Sequence, residues 1–184
     1  DLHSFPTRRS SDLAMVLSTY RLSLKGKILE IAMSEFAQRG IKSVKMDDIA
    51  KGLYISKRTL YEIYDNKELL LFECLKRAKS QDEMRMMNMM SLQNNVIDII
   101  LNIYKIKIEQ FKQVNPLFYS DIEKFPTVMA FLDEQHKRDR ILQKQFLVRG
   151  VAEGYFRKDI DINIVITMFD ALSQYVRHTR LYNQ

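Results

Sequence analysis

A chain of 184 residues that is 46% hydrophobic can bury one or two modest cores, and its five glycines and three prolines are too few for a turn-rich sheet protein. The net charge of +6 is unevenly spread: residues 14–79 hold 13 Lys/Arg against 8 Asp/Glu, whereas residues 80–184 hold 14 against 13. The single cysteine, Cys74, excludes an intramolecular disulfide and fits a reducing cytoplasm, and no apolar run approaches the roughly 18 residues of a membrane span.

Residues 1–13, DLHSFPTRRSSDL, show no helical period, and their Arg pair lacks the apolar stretch that follows it in a signal peptide. They read as a non-native leader outside the fold, with a native start near Met15. Lys25 to Arg39 is the first predicted helix, with Ile28, Ala32 and Phe36 in one row and Leu29, Met33 and Ala37 in the next; Gly40 is its expected stop. Asp47 to Leu53 follows as a short helix with Ile49, Ala50 and Leu53 on one face and two acids in its first turn. Tyr54-Ile55-Ser56 breaks the pattern, and the Ser56 hydroxyl is placed to cap a second short helix, Lys57 to Tyr64. That helix buries Leu60 and Ile63 and turns Lys57, Arg58, Thr59 and Tyr61 outward. Two short helices joined by a three-residue turn, the second with a basic and hydroxyl-rich outer face, describe a helix-turn-helix.

A fourth helix opens at Asn66-Lys67-Glu68 and is predicted to run to about Met90 as a stiff rod, its last turns carrying the Met cluster MRMMNMM. Asn95 to Val114 is amphipathic, Leu117 to Glu123 is short, and Thr127 to about Val151 is long, with Val128, Phe131, Leu132, Ile141, Leu142, Phe146 and Leu147 as its buried row. Glu153-Gly154-Tyr155-Phe156 makes a turn. Asp161 caps a last helix to about Tyr182, with Ile162, Val165, Ile166, Phe169, Leu172 and Val176 apolar. No strand, internal repeat or low-complexity tract is evident.

The residues Asp48-Ile49-Ala50, Ile55-Ser56, Thr59-Leu60-Tyr61 and Tyr64 with Asn66-Lys67-Glu68-Leu69-Leu70, preceded by Phe36-Ala37-Gln38-Arg39-Gly40, resemble the DNA-binding signature of the TetR (tetracycline-repressor) family of bacterial regulators. The match covers about fifty residues; beyond it only the helical layout is similar. Two positions depart from the pattern. Tyr54 stands where the family usually has a turn glycine, and Arg58 where many members have a small residue.

The resemblance implies an all-α protein. A three-helix head over residues 14–67 would be joined by the fourth helix to a helical ligand-binding and dimerisation bundle over 68–184. It implies double-stranded DNA with a palindromic operator as partner, a homodimer, an unknown small-molecule effector and no cofactor. DNA contacts are expected at Lys45, Ser56, Lys57, Arg58, Thr59, Tyr61, Tyr64 and Lys67. Arg58 offers a fork for guanine, Tyr61 and Tyr64 would lean on the backbone, and Lys67 would hold a phosphate. For Tyr64 a core ring is the equal alternative. Pocket candidates are Met87, Met90, Tyr104, Phe111, Phe118, Tyr119 and Phe131, each also readable as plain core. Family members usually carry one more helix than fits before Gln184, so truncation at the C-terminus is expected.

Two other readings compete with this one. An enzyme is disfavoured by the lack of a Gly-rich phosphate loop, nucleophile elbow, HExxH pair or His/Cys/Asp set at metal-ligand spacing; His136 reads as a surface residue, and His178 has no metal partner. A helical protein–protein adaptor without DNA binding would use the Met-rich surface for partner helices.

Overall fold

The computed structural model describes residues 9–92 and 95–182, with side chains described for 15–92, 95–172, 174 and 175. Eight α-helices and no strand occur among them. They are α1 (Arg9–Arg39), α2 (Met46–Gly52), α3 (Lys57–Ile63), α4 (Lys67–Leu92), α5 (Val96–Gln113), α6 (Pro116–Ile122), α7 (Pro126–Ala152) and α8 (Ile162–Tyr182).

The expected start of α1 at Lys25 is corrected: among the described residues the helix runs from Arg9. Between Pro6 and Gly26 nothing breaks a helix, so local propensity carries it on without a partner to pack against. Met15 to Ser23 are exposed on every face, and Leu24 is the first buried residue among those whose side chains are described. From there the predicted row holds, with Ile28, Ala32 and Phe36 fully buried. Gly40 ends the helix at φ +80°, and a side chain there would meet Leu117 Cβ of α6 at 2.9 Å.

The core around that row is shared by the head and the body. Ile49 and Ala50 of α2, Leu60 of α3, and Leu70, Leu71 and Cys74 of α4 join Phe118 and Ile122 of α6 and Val128 of α7 in one buried cluster. Cys74 donates its thiol to the Leu29 carbonyl (3.4 Å), and burial pushes its pKa up to about 12, so it is an inert core group. A second, smaller cluster holds Val96, Ile99 and Phe146, where α5 meets α7.

Polar contacts lock α6 onto the end of α1. Asn115 caps α6 by accepting from the Leu117 N–H (2.9 Å). It also donates its own N–H to Ala37 O (2.7 Å) and its side-chain amide to Gln38 O (3.1 Å). Asp121, buried, accepts from the Lys42 N–H (2.7 Å) and pairs with Lys124 (3.2 Å). From the other side, the Lys67 ammonium donates to the carbonyls of Ile41 (2.9 Å), Val44 (2.9 Å) and Lys42 (3.4 Å). Burial draws the Lys67 pKa below its ordinary value, with the Asp121 charge opposing.

One helix position differs from expectation, and an apolar position of the next helix lies outward beside it. Ile141 was placed in the buried row of α7 but is 63% exposed, and Leu172 of α8 is 59% exposed. Both belong to an outward apolar surface rather than to the core of this chain, a distinction that helical spacing alone does not make. Val176 and His178 lie outside the residues whose side chains are described. At the turn between α7 and α8, Tyr155 and Phe156 donate their N–H groups to Gly150 O (2.9 and 3.1 Å), and Gly154 takes φ +83°. The Phe156 ring lies where a Cβ on Gly150 would stand. The Asp161 carboxylate caps α8 by accepting from Asn163 N–H (2.9 Å) and Ile164 N–H (3.1 Å).

Removing the Lys67 ammonium leaves the carbonyls of the α1–α2 connection without their donor. Lys67→Met is expected to lose about 1–3 kcal/mol of stability in urea unfolding, with the midpoint moving and the slope unchanged.

Candidate nucleic-acid interface and effector cavity

The short helix α3 is held by its ends and its inner face. Ser56 Oγ accepts from the Thr59 N–H (3.0 Å) and shares a hydrogen bond with the Thr59 hydroxyl (2.8 Å), so the cap expected from sequence is in place. Leu60 is fully buried and Ile63 partly so, which fixes how the helix is rotated. The turn before it carries Tyr54 at φ +54°, with a side chain 98% exposed. A non-glycine residue in the left-handed region costs about 1–2 kcal/mol. Backbone bonds hold it there: Tyr54 N–H to Lys51 O (3.1 Å) and Ile55 N–H to Ala50 O (3.0 Å).

The outer face of α3 carries Lys57, Arg58 and Tyr61 in solvent, with Thr59 half-buried. These cations are tied to neighbouring acids. Lys57 pairs with Asp47 of α2 (3.0 Å), which raises its pKa, and its ammonium lies 5.9 Å from the Tyr61 ring centroid. Arg58 bonds Glu62 one turn on (2.9 Å). Such exposed pairs are worth about 0–1 kcal/mol and exchange readily for a phosphate or a base edge. Lys45, before α2, is exposed, and its backbone N–H donates to the Asp48 carboxylate (3.1 Å).

Two expected contacts are otherwise engaged. Tyr64 is 6% exposed, so of its two readings the structure takes the core ring; burial pushes its pKa up to about 12. Lys67 spends its donors on the three carbonyls already described.

In the body, α4, α5, α7 and α8 enclose a mainly apolar cavity of about 290 Å³, near the lower end of the usual size for small-molecule sites. Of the seven expected pocket residues only Tyr104 lines it. Met87 (65% exposed) and Met90 (39%) face outward, and Met86 and Met89 line the cavity in their place. The sequence held the signal for this: Phe72, Leu75, Lys79, Asp82, Met86 and Met89 follow one another by three and four, the inward face of α4. Phe146, Phe169, Ile100, Ile103 and Gln143 also line it and were missed. Phe131 packs edge-on against Phe72 in the core (5.2 Å). Phe111, Phe118 and Tyr119 gather instead at a second, more polar hollow of about 810 Å³ bordered by α1, α4, α5 and α6. No metal-ligating cluster occurs among the described residues, and no described helix is long and apolar enough to cross a membrane.

What α3 leaves open is the geometry of a helix that enters a DNA major groove, and the scaffold presenting it is that of a helix-turn-helix transcriptional regulator. Residues 28–74 match the family model of the bacterial regulatory proteins, tetR family, and the relatives found support a DNA-binding regulator. It is 24% identical over 148 residues to the HTH-type transcriptional repressor KstR2 of Mycobacterium tuberculosis, covering 78% of this chain and 74% of that one. The structure of that protein superposes with a TM-score of 0.63 over 84% of this chain and 81% of the other, at 23% identity. A transcriptional regulator from Saccharomonospora viridis, solved in complex with choline, gives a TM-score of 0.72 at 20% identity, covering 82% and 81%. Over 45 residues, 24% of each chain, identity reaches 42% with IcaR, a negative transcriptional regulator of the biofilm operon icaADBC in Staphylococcus epidermidis. These relatives are regulators; the adaptor reading finds no support among them.

Loss of the Ser56 hydroxyl leaves the Thr59 N–H unpaired at the mouth of α3. Ser56→Ala is expected to cost about 1 kcal/mol by thermal unfolding and to weaken DNA binding further by fraying the helix.

Proposed function

We propose that this chain is a homodimeric repressor that holds a palindromic operator and leaves it when a small, hydrophobic effector binds. The observation that carries the reading is α3 itself: a capped helix seated on Leu60, with Lys57, Arg58 and Tyr61 directed into solvent. Lys57, Arg58 and Tyr61 read or touch the groove, Ser56 and Thr59 approach the backbone, and Lys45 meets a phosphate beside α2. Tyr64 and Lys67 act behind them, as the ring and the ammonium that set the head's shape. KstR2 and IcaR, repressor and negative regulator by name, favour repression over activation.

One short helix reads too few base pairs to define a genomic site, so two copies on half-sites about one helical turn apart are required. The surface for the second copy is the outward row of α8, Ile164, Met168, Leu172 and Tyr175, continued by Ile141 and Val148 of α7; all six are exposed in the single chain. The effector enters the cavity between α4, α5, α7 and α8. A ligand there acts on α4, whose first turns hold the head, and such coupling is typically worth 1–3 kcal/mol.

Titrating a fluorescent random-sequence duplex should give a log K that falls linearly with log salt; a flat response removes the reading. On a sequence selected from a random pool, Arg58→Ala is expected to cost about 1–3 kcal/mol and relax preference at one base pair, while Lys45→Ala weakens every sequence alike and lowers the salt slope by about one. Leu172→Asp should convert the dimer to a monomer in sedimentation with its helix content intact. A wild-type chain that sediments as a monomer at all concentrations would contradict the dimer.

A further inference from the structure

The cavity walls narrow the chemistry of the effector, an inference that rests on the cavity being the effector site. The Tyr104 and Phe169 rings stand 5.1 Å apart at an interplanar angle of 33° and, with Phe146 and Met86, give the cavity an aromatic, polarisable lining suited to a planar apolar ligand. Charge at the cavity is balanced. Lys79, Arg85 and Lys107 line it together with Asp82, Glu83 and Asp139. Two of the cations are already matched: Lys79 to Asp139 at 2.6 Å and Arg85 to Asp82 at 3.4 Å. An anionic ligand gains no net field here, and to use Lys79 it must strip a partly buried carboxylate of its partner.

Among the described residues lining the cavity, one buried side-chain polar atom has no hydrogen bond. Gln143 of α7 lines it, and its Oε1 is buried with no hydrogen bond. Its amide carries one acceptor end and one donor end, which a half-turn exchanges. A hydroxyl, being both donor and acceptor, satisfies whichever end meets the cavity, whereas a carboxylate only accepts. We propose that the effector is a neutral, flat, mainly apolar molecule bearing a hydroxyl group, and that Gln143 is the residue that recognises that hydroxyl.

Equilibrium dialysis of the full chain against 2-naphthol, naphthalene and 2-naphthoate tests this. The expected order is 2-naphthol about tenfold tighter than naphthalene, with 2-naphthoate weakest. In Gln143→Met, naphthalene binding should be retained and the advantage of 2-naphthol should fall below about threefold; Gln143→Asn, which keeps an amide on a shorter stem, should hold part of it. Tightest binding by 2-naphthoate, an advantage undiminished in Gln143→Met, or no binding by any of the three overturns the proposal. The duplex titration on the same preparation separates the two failures. A chain that binds DNA in a salt-dependent way but shows none of this selectivity loses only the effector class. A chain that selects 2-naphthol through Gln143 but ignores DNA loses only the operator.

Discussion

The connection between α1 and α2, residues 41–44, is the constraint on which the rest of the molecule depends. The connection is half-buried, with Ile41 and Val44 inside and Lys42 and Ser43 exposed; the peptide groups turned inward must find partners, and two remote charged side chains supply them. The Lys67 ammonium collects carbonyls from the α4 side, and the Asp121 carboxylate takes the Lys42 N–H from the α6 side. Head and body are therefore joined by charge-assisted bonds as well as by a shared apolar core. A displacement of α4 or α6 has to move this connection or break its bonds, so events in the body reach α2 and α3 through few intermediaries.

The outer face of α3, the proposed reading face, has the opposite character. Its cations rest in exposed pairs with Asp47 and Glu62, which keep them near their working positions at little cost in free energy. The acids also mask the charge that a phosphate or base edge would meet in the proposed complex. The helix beneath is fixed by Leu60 and the Ser56 cap, so the adaptable part of the interface is confined to its long side chains.

Much of this architecture could be read from the sequence, because helix rows, caps and breakers are local. The Ile28-Ala32-Phe36 row, the Ser56 cap, the Gly40 stop and the Asp161 cap all stand where spacing and residue chemistry put them. What the sequence left open depends on tertiary placement. Lys67 has the composition of a phosphate ligand, and only the position of residues 41–44 against it gives its ammonium other partners. Tyr64 could serve as core or as contact until the packing of α4 decided. The Met cluster presented two adjacent helical faces, and Met87 and Met90 lie one residue away from the face that turned inward. The start of α1 was misjudged because a missing amphipathic period argues against burial, not against a helix.

The Phe156 ring occupies the space above Gly150 where any other residue would carry its first side-chain carbon. That ring holds the chain as it reverses direction after α7 and so sets the line along which α8 departs. One absent methyl group thus governs the angle between the two helices whose outer faces are proposed to receive a second copy. In the proposed dimer, the distance between paired heads, and with it the spacing of the two half-sites, would trace back to a hydrogen atom far from any nucleotide.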